Sequence, residues 1–242
     1  MWYIFKREFN SFLNSLIAYI VIGIFLTGMG LFMWVFPETN VLDYGYAEMG
    51  VLFSLGPYVL MFLIPAITMK MFAEEHKSGT FEFLATQPVS DWSILIGKYF
   101  AALLLIVFAI IPTILYYFSV YTLGNPIGNI DTPGVIGSYA GFILLGAAFT
   151  SIGLFSSSIT ENQVVAFVVA VFTCFLFFEG FASIAGLYPQ GGTSLILEKA
   201  GMVYHYNSLS KGLIDSRDLV YFLSLIFAML MFTKMILGSR KW

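Results

Sequence analysis

Six stretches of this chain are each long and apolar enough to cross a lipid bilayer, and nothing else in the sequence constrains the fold as strongly. They run roughly 12–36, 51–72, 97–123, 135–159, 164–187 and 219–237. A helix needs about 20 apolar residues to cross ~30 Å of hydrocarbon. No water is available there, so each crossing must satisfy its own backbone hydrogen bonds, which selects helix over irregular chain. Hydrophobic residues make up 59% of the sequence, far more than a soluble domain of this size can hide. The expected fold is therefore an all-α membrane protein with six transmembrane helices in one domain, 1–242. Pro57, Pro65 and Pro112 fall inside spans and predict kinks there.

The placement of Lys and Arg orients the bundle. Lys6 and Arg7 precede the first span, Lys70, Lys77 and Lys98 flank the loop after the second, and Lys234, Arg240 and Lys241 close the sixth. With six spans these sites share one side. The loops 37–50 and 124–134 carry no Lys or Arg. Cytoplasmic loops are the ones enriched in these residues, so both termini are expected in the cytoplasm. The outer segment 188–218 resists this pattern, because it carries Lys199, Lys211 and Arg217.

Two further patterns concern packing. In MWYIFKREFNSFLNSL, Trp2, Phe5, Phe9, Phe12, Leu13 and Leu16 share one helical arc, and Lys6, Arg7, Asn10, Ser11 and Asn14 share the opposite one. That split predicts an interface helix over 2–12 lying along the membrane surface. Gly137 and Gly141 form a GxxxG pair, followed by Gly146, Thr150 and Gly153, and Gly23, Thr27 and Gly30 repeat the theme in the first span. Small residues let helices approach closely, here most simply within one subunit.

The chemistry that the sequence lacks narrows the function. It has no G-x-x-x-x-G-K-[ST] phosphate loop and no H-E-x-x-H metal motif. Cys174 is the only cysteine, so no internal disulfide forms. The spans are almost free of the ionisable groups that proton- and ion-coupled transporters use. Glu179, in FLFFEGFASIAG, is the exception. From sequence it has two readings: part of a substrate path or outer gate, or a polar end to the fifth helix. The chain thus reads as a passive body that takes its energy from another subunit. A secondary transporter or channel and a non-transporting scaffold are the rival classes.

One hydrophilic stretch stands out, EEHKSGTFEFLATQP at 74–88. Ser78, Gly79 and Thr80 break the second helix, and Ser78 or Thr80 can cap a new one. Phe81, Leu84 and Ala85 fall on one face, with Glu82 and Thr86 on the other. Pro88 stops continuation, and Ser90 or Asp91 caps the third span. The pattern predicts a short amphipathic helix at about 79–87. Glu74 and Glu75 sit near a helix C-terminus, where the dipole disfavours negative charge, so their placement asks for a reason beyond stability.

The pattern E-E-x-K-x-G-T-x-E-x-L-x-x-x-P, followed by G-K at Gly97 and Lys98, resembles the signature of ABC transporter permeases of the type-2 exporter family. GLFSSSITENQVVAF at 153–167 and HYNSLSKGLIDSRDLVYFLSL at 205–225 resemble other parts of that family. The whole pattern is most similar to the permease subunit associated with bacterial gliding motility. The resemblance implies a coupling helix seated on a separate cytoplasmic ATPase subunit. Glu74, Glu75, Lys77, Gly79, Thr80, Phe81, Glu82 and Leu84 would form the coupling stretch. It implies that ATP and Mg are bound by that partner and no cofactor by this chain, which is then not itself an enzyme. It further implies a second permease half, as a homodimer or heterodimer, in the bacterial inner membrane, and export as the direction of transport; no nucleic-acid partner is expected. The chain lacks the large outer domain of some members, which leaves the substrate open.

Overall fold

The computed structural model of the protein describes residues 1–43, 45–80, 89–189, 191–212 and 215–239. Among these, all regular structure is helical. Helix α1 spans Trp2–Leu13 and α2 spans Leu16–Trp34. The second crossing is α3, Gly50–Thr68, continued by α4, Lys70–Lys77. The third is α5, Asp91–Ile110, and α6, Ile114–Leu123, joined by a 3-10 turn at Ile111–Thr113. That turn holds Pro112, which has no N–H to give to the helical ladder. The fourth crossing is α7, Thr132–Ile159. The fifth is α8, Gln163–Phe175, then a π-helical turn at Leu176–Gly180 and α9, Phe181–Ala185. Two short helices follow, α10 at Gly192–Ala200 and α11 at Met202–Leu209, before the sixth crossing, α12 at Ser216–Ser239.

The expected six crossings are all present. Helix α1 and the last turns of α12 lie at one end of the bundle, where Lys234 of α12 stacks over Trp92 at the start of α5. We call this the terminal end and the opposite one the far end. Helix α7 occupies the centre. In its most apolar stretch 78% of residues are buried, against 28% in the first, fifth and sixth spans, which therefore present their outer faces to lipid.

Its small residues explain that position. A Cβ on Gly137 would sit 2.7 Å from the Gly212 Cα, and one on Gly141 would sit 2.9 Å from the Leu209 Cβ. Gly212 itself has φ +76, a left-handed conformation that glycine adopts without penalty. The GxxxG pair is thus spent inside the chain, drawing α11 onto α7. Gly153 faces Thr68 in the same way, whereas Gly23 meets nothing within 4 Å.

Pro57 has a second consequence. Without its N–H, the carbonyl of Phe53 loses its helical donor. The buried Tyr206 hydroxyl donates to that oxygen at 2.7 Å. Helix α11 is thereby pinned to α3 as well as to α7.

The N-terminal helix is present at Trp2–Leu13, and one side of it packs against the bundle. Trp2 and Leu13 are exposed, but Ile4 and Phe12 are buried. The stripe Ile4, Glu8, Phe12, at i, i+4 and i+8, packs onto the bundle, largely on α5. Gly97 makes room, since a Cβ there would lie 3.0 Å from the Ile4 side chain and 3.2 Å from the Met1 carbonyl. The helix is docked on the protein along one side, and the Trp2, Phe5 and Phe9 rings stack in a row that ends on Phe108 of α5.

Candidate functional site: a charged hub beneath the second span

The second crossing does not run straight into α4. The ladder is interrupted at Met69, where the amides of Phe72 and Ala73 turn away from the carbonyls four residues earlier. Both donate instead to the Ser157 hydroxyl of α7, at 3.0 Å and 3.1 Å. Ser157 in turn donates to the Met69 carbonyl at 2.8 Å. One fully buried hydroxyl therefore splices α4 onto α3, an example of a side chain inserted into a helical ladder.

Helix α4 buries Met71, Phe72 and Ala73 and turns Glu75 toward α1 and α5. Lys98 of α5, only 1% exposed, meets it there. Its ammonium donates to Glu75 Oε1 at 2.8 Å, to Glu8 Oε1 at 3.2 Å and to the Met71 carbonyl at 2.8 Å. It also lies 5.2 Å from the centre of the Phe72 ring. All three of its donors are used. Arg7 closes the group from the rim, at 2.6 Å from Glu8 and 3.3 Å from Glu75. Two cations and two carboxylates balance.

This arrangement supplies the reason for Glu75 at a helix C-terminus: the dipole's penalty is offset by a buried ammonium. The electrostatics of Glu8 follow from the same contacts. Burial pushes its carboxyl up, but the Lys98 charge and the Arg7 hydrogen bond outweigh burial and hold it below its ordinary 4.5. The Arg7 guanidinium is disfavoured by partial burial, yet Glu8 and Glu75 raise its pKa overall.

The other residues of the predicted coupling stretch divide. Glu74 and Lys77 are exposed on α4. Gly79, at φ +68, takes the left-handed conformation that ends a helix. The Ser78 hydroxyl donates to the Glu74 carbonyl at 2.8 Å, and Thr80 bonds Ser78 at 2.8 Å. These hydroxyls thus serve the helix that precedes them. Phe81, Glu82 and Leu84, with the rest of 81–88, lie outside the described residues. Ser90 caps α5 by accepting from the Ser93 amide, as its position predicts. Between α1 and α4 a cleft of about 370 Å³ opens at the terminal end, bordered by Arg7, Lys70, Glu74 and Thr80.

Glu8 was not among the residues that sequence reasoning singles out, because an acid beside Lys6 and Arg7 reads as part of a solvated face. Its signal is the spacing Ile4–Glu8–Phe12, which puts it on the buried stripe. Ser157 likewise passes unnoticed among three consecutive serines.

Glu179 lies at the far end, in the π turn of the fifth span. The helix continues beyond it to Ala185, so Glu179 does not terminate it. The wide turn brings both Phe178 and Glu179 against α3. The Phe178 ring lies 5.6 Å from Tyr58, and the Tyr58 hydroxyl donates to Glu179 at 3.2 Å. These residues line a cleft of about 580 Å³ that opens toward the far end.

The comparison that decides the family is with the model of the ABC-2 family transporter protein, which matches residues 2–237. The chain belongs to the ABC-2 transporter family. No curated protein matches its sequence. Membership makes it a multi-pass permease of an ABC transporter, of a family whose members are non-catalytic transmembrane subunits. It also implies a lipid bilayer and a partner ATPase. The charged hub joins α1, α4 and α5 just before α4 ends at Ser78 and Gly79.

Proposed function

We propose that this chain is the membrane-spanning half of an ATP-driven exporter of the bacterial inner membrane, coupled to its ATPase through the segment 79–87. The terminal end then faces the cytoplasm. A separate ATPase subunit binds ATP and Mg and docks on Phe81 and Leu84, with Glu82 against a basic rim and Glu74, Lys77 and Thr80 beside it. Two permease halves, identical or related, enclose the path, and Glu179 lines its outer part. The pattern similarity to the gliding-motility subunit suggests that process as its setting.

The observation that carries this reading is the hub. A segment that transmits force needs a stem that does not yield. Here the stem is α4, spliced to α7 by Ser157 and held to α1 and α5 by Lys98, Glu8 and Arg7. Displacement of the segment would move several helices together. ATP supplies the free energy through its different affinities for two states of the assembly, as any coupled switch requires.

The test is recovery of the tagged chain from native membranes in mild detergent, beside the double variant Phe81→Asp, Leu84→Asp. We expect a P-loop ATPase with the wild type and its loss with the variant. If neither preparation holds an ATPase, the reading fails, and transport without ATP or a scaffold role takes its place. Glu82→Arg should reach the membrane and uncouple hydrolysis from transport.

A further inference from the structure

We propose that the far-end cleft binds an amphipathic organic cation, with the charge on Glu179 and the apolar body against the rings around it. This deepens the reading of the chain as a permease and rests on it, because it assigns the class of molecule carried.

The cleft has the volume of a small-molecule site, about 580 Å³, within the ~300–1,000 Å³ such sites occupy. Its floor is apolar and firm: Phe53, Phe178 and Tyr206 line it and are almost wholly buried. Tyr58, 42% exposed, offers its ring from the wall. An aromatic face attracts a cation through its quadrupole.

The charge at this place is unbalanced. Glu179 is six residues from the end of α9 at Ala185, about 9 Å along the helix at ~1.5 Å per residue. A carboxylate within a span is costly and is kept where it has a partner or a task. The only bond Glu179 makes among the described residues is with the Tyr58 phenol, which is neutral. A carboxylate has room for about four such bonds. Among the described residues no Lys, Arg or His lines the cleft, whereas Glu48 and Asp131 stand at its rim. The flanking loops 37–50 and 124–134 hold Glu38, Asp43, Glu48 and Asp131 and no Lys or Arg. In the third far-end segment, 188–218, Lys199, Lys211 and Arg217 are matched in number by Glu198, Asp215 and Asp218, so the far end keeps a net negative charge that draws cations and repels anions.

The shape of the site selects an organic cation over a metal ion. Among the described residues no three His, Cys, Asp or Glu side chains are grouped closely enough to hold a metal. One carboxylate beside exposed and buried rings suits a ligand with one positive centre and a large apolar surface. The π turn is what creates this pairing, since its extra residue turns Phe178 and Glu179 to the same neighbour, and such turns recur at functional sites.

The test uses the full-length chain in lipid nanodiscs, with signal from protein-free discs subtracted. Tetraphenylphosphonium is titrated against tetraphenylborate, an anion of the same size and shape. We expect saturable binding of the cation at least tenfold tighter than that of the anion, and at least a tenfold loss of cation affinity in Glu179→Gln. A smaller ratio between the two ions, or a smaller loss in the variant, overturns the proposal. The comparison of ions needs no substitution, so it decides even if Glu179→Gln does not fold. Tyr58→Leu, on a different helix, should weaken the cation in the same direction. No ATPase is present in this titration, so a negative result leaves the coupling reading standing. Conversely, failure to recover an ATPase leaves the binding result untouched.

Discussion

Replacing Lys98 by Met should destabilise the protein by about 3 kcal/mol, for a reason that lies in two other residues. The ammonium is 1% exposed and touches both Glu75 and Glu8. Their side chains are only 16% and 13% exposed, so neither is free to hydrate once the cation goes. The cluster would pass from two cations and two carboxylates to one cation and two carboxylates. Removing one partner of a buried pair costs ~3–5 kcal/mol, because it strands an uncompensated charge. The lower end applies here, since Arg7 stays within 3.3 Å of both carboxylates. In a chain of this length that is an apparent Tm lower by about 6–12 °C, at ~2–4 °C per kcal/mol. The assay is thermal unfolding of the purified protein in detergent, followed by loss of the monodisperse peak. The decisive control is the triple variant Lys98→Met, Glu8→Gln, Glu75→Gln. It keeps the shape but leaves no stranded charge, and should regain most of the lost stability. A Lys98→Met protein within ~2 °C of wild type would refute the argument. So would a triple variant as unstable as the single one, because the cost would then arise from packing.

Two further outcomes follow from the same structure. Gly137→Ala places a Cβ 2.7 Å from the Gly212 backbone. Backbone cannot swing aside, so the variant should lose ~1–3 kcal/mol, whereas Gly23→Ala, inside α2 with nothing within 4 Å, should be neutral or stabilising by up to ~1 kcal/mol in the same melt. Glu8 gives an acid dependence of defined sign: its folded pKa lies below its ordinary 4.5, so its contribution is complete above that value and disappears as pH falls through the folded one. Melting temperature against pH should therefore fall less steeply below 4.5 in Glu8→Gln than in wild type, and parallel curves would show that Glu8 is not held by these charges.

Much of this was legible in the chain itself. The six crossings are written in six apolar runs, because hydrocarbon admits only segments that hide every backbone group. The break at Ser78–Gly79 and the Ser90 cap are local, set by glycine's access to positive φ and by a short hydroxyl side chain, so a short window suffices to read them. Glu75 could be seen as misplaced beside a helix C-terminus, but not what compensates it. Pro57 announces a missing donor at Phe53, but not that the hydroxyl arrives from Tyr206, 153 positions away. Glu8 and Lys98 are 90 positions apart, and each alone resembles any charge flanking a span.

What the sequence determined by itself is the class of solvent, the number of crossings and the places where helices stop, since these depend on each residue's own chemistry and on its near neighbours. What only the tertiary structure decided is which charges are neutralised. A charge is tolerated in a buried place only when its counterpart is brought within about 3 Å, and such a distance exists only after α1, α4 and α5 have packed. The same packing separated Glu75 from Glu74, adjacent in the chain and alike in chemistry. One is bound into the hub, and the other is left on the surface.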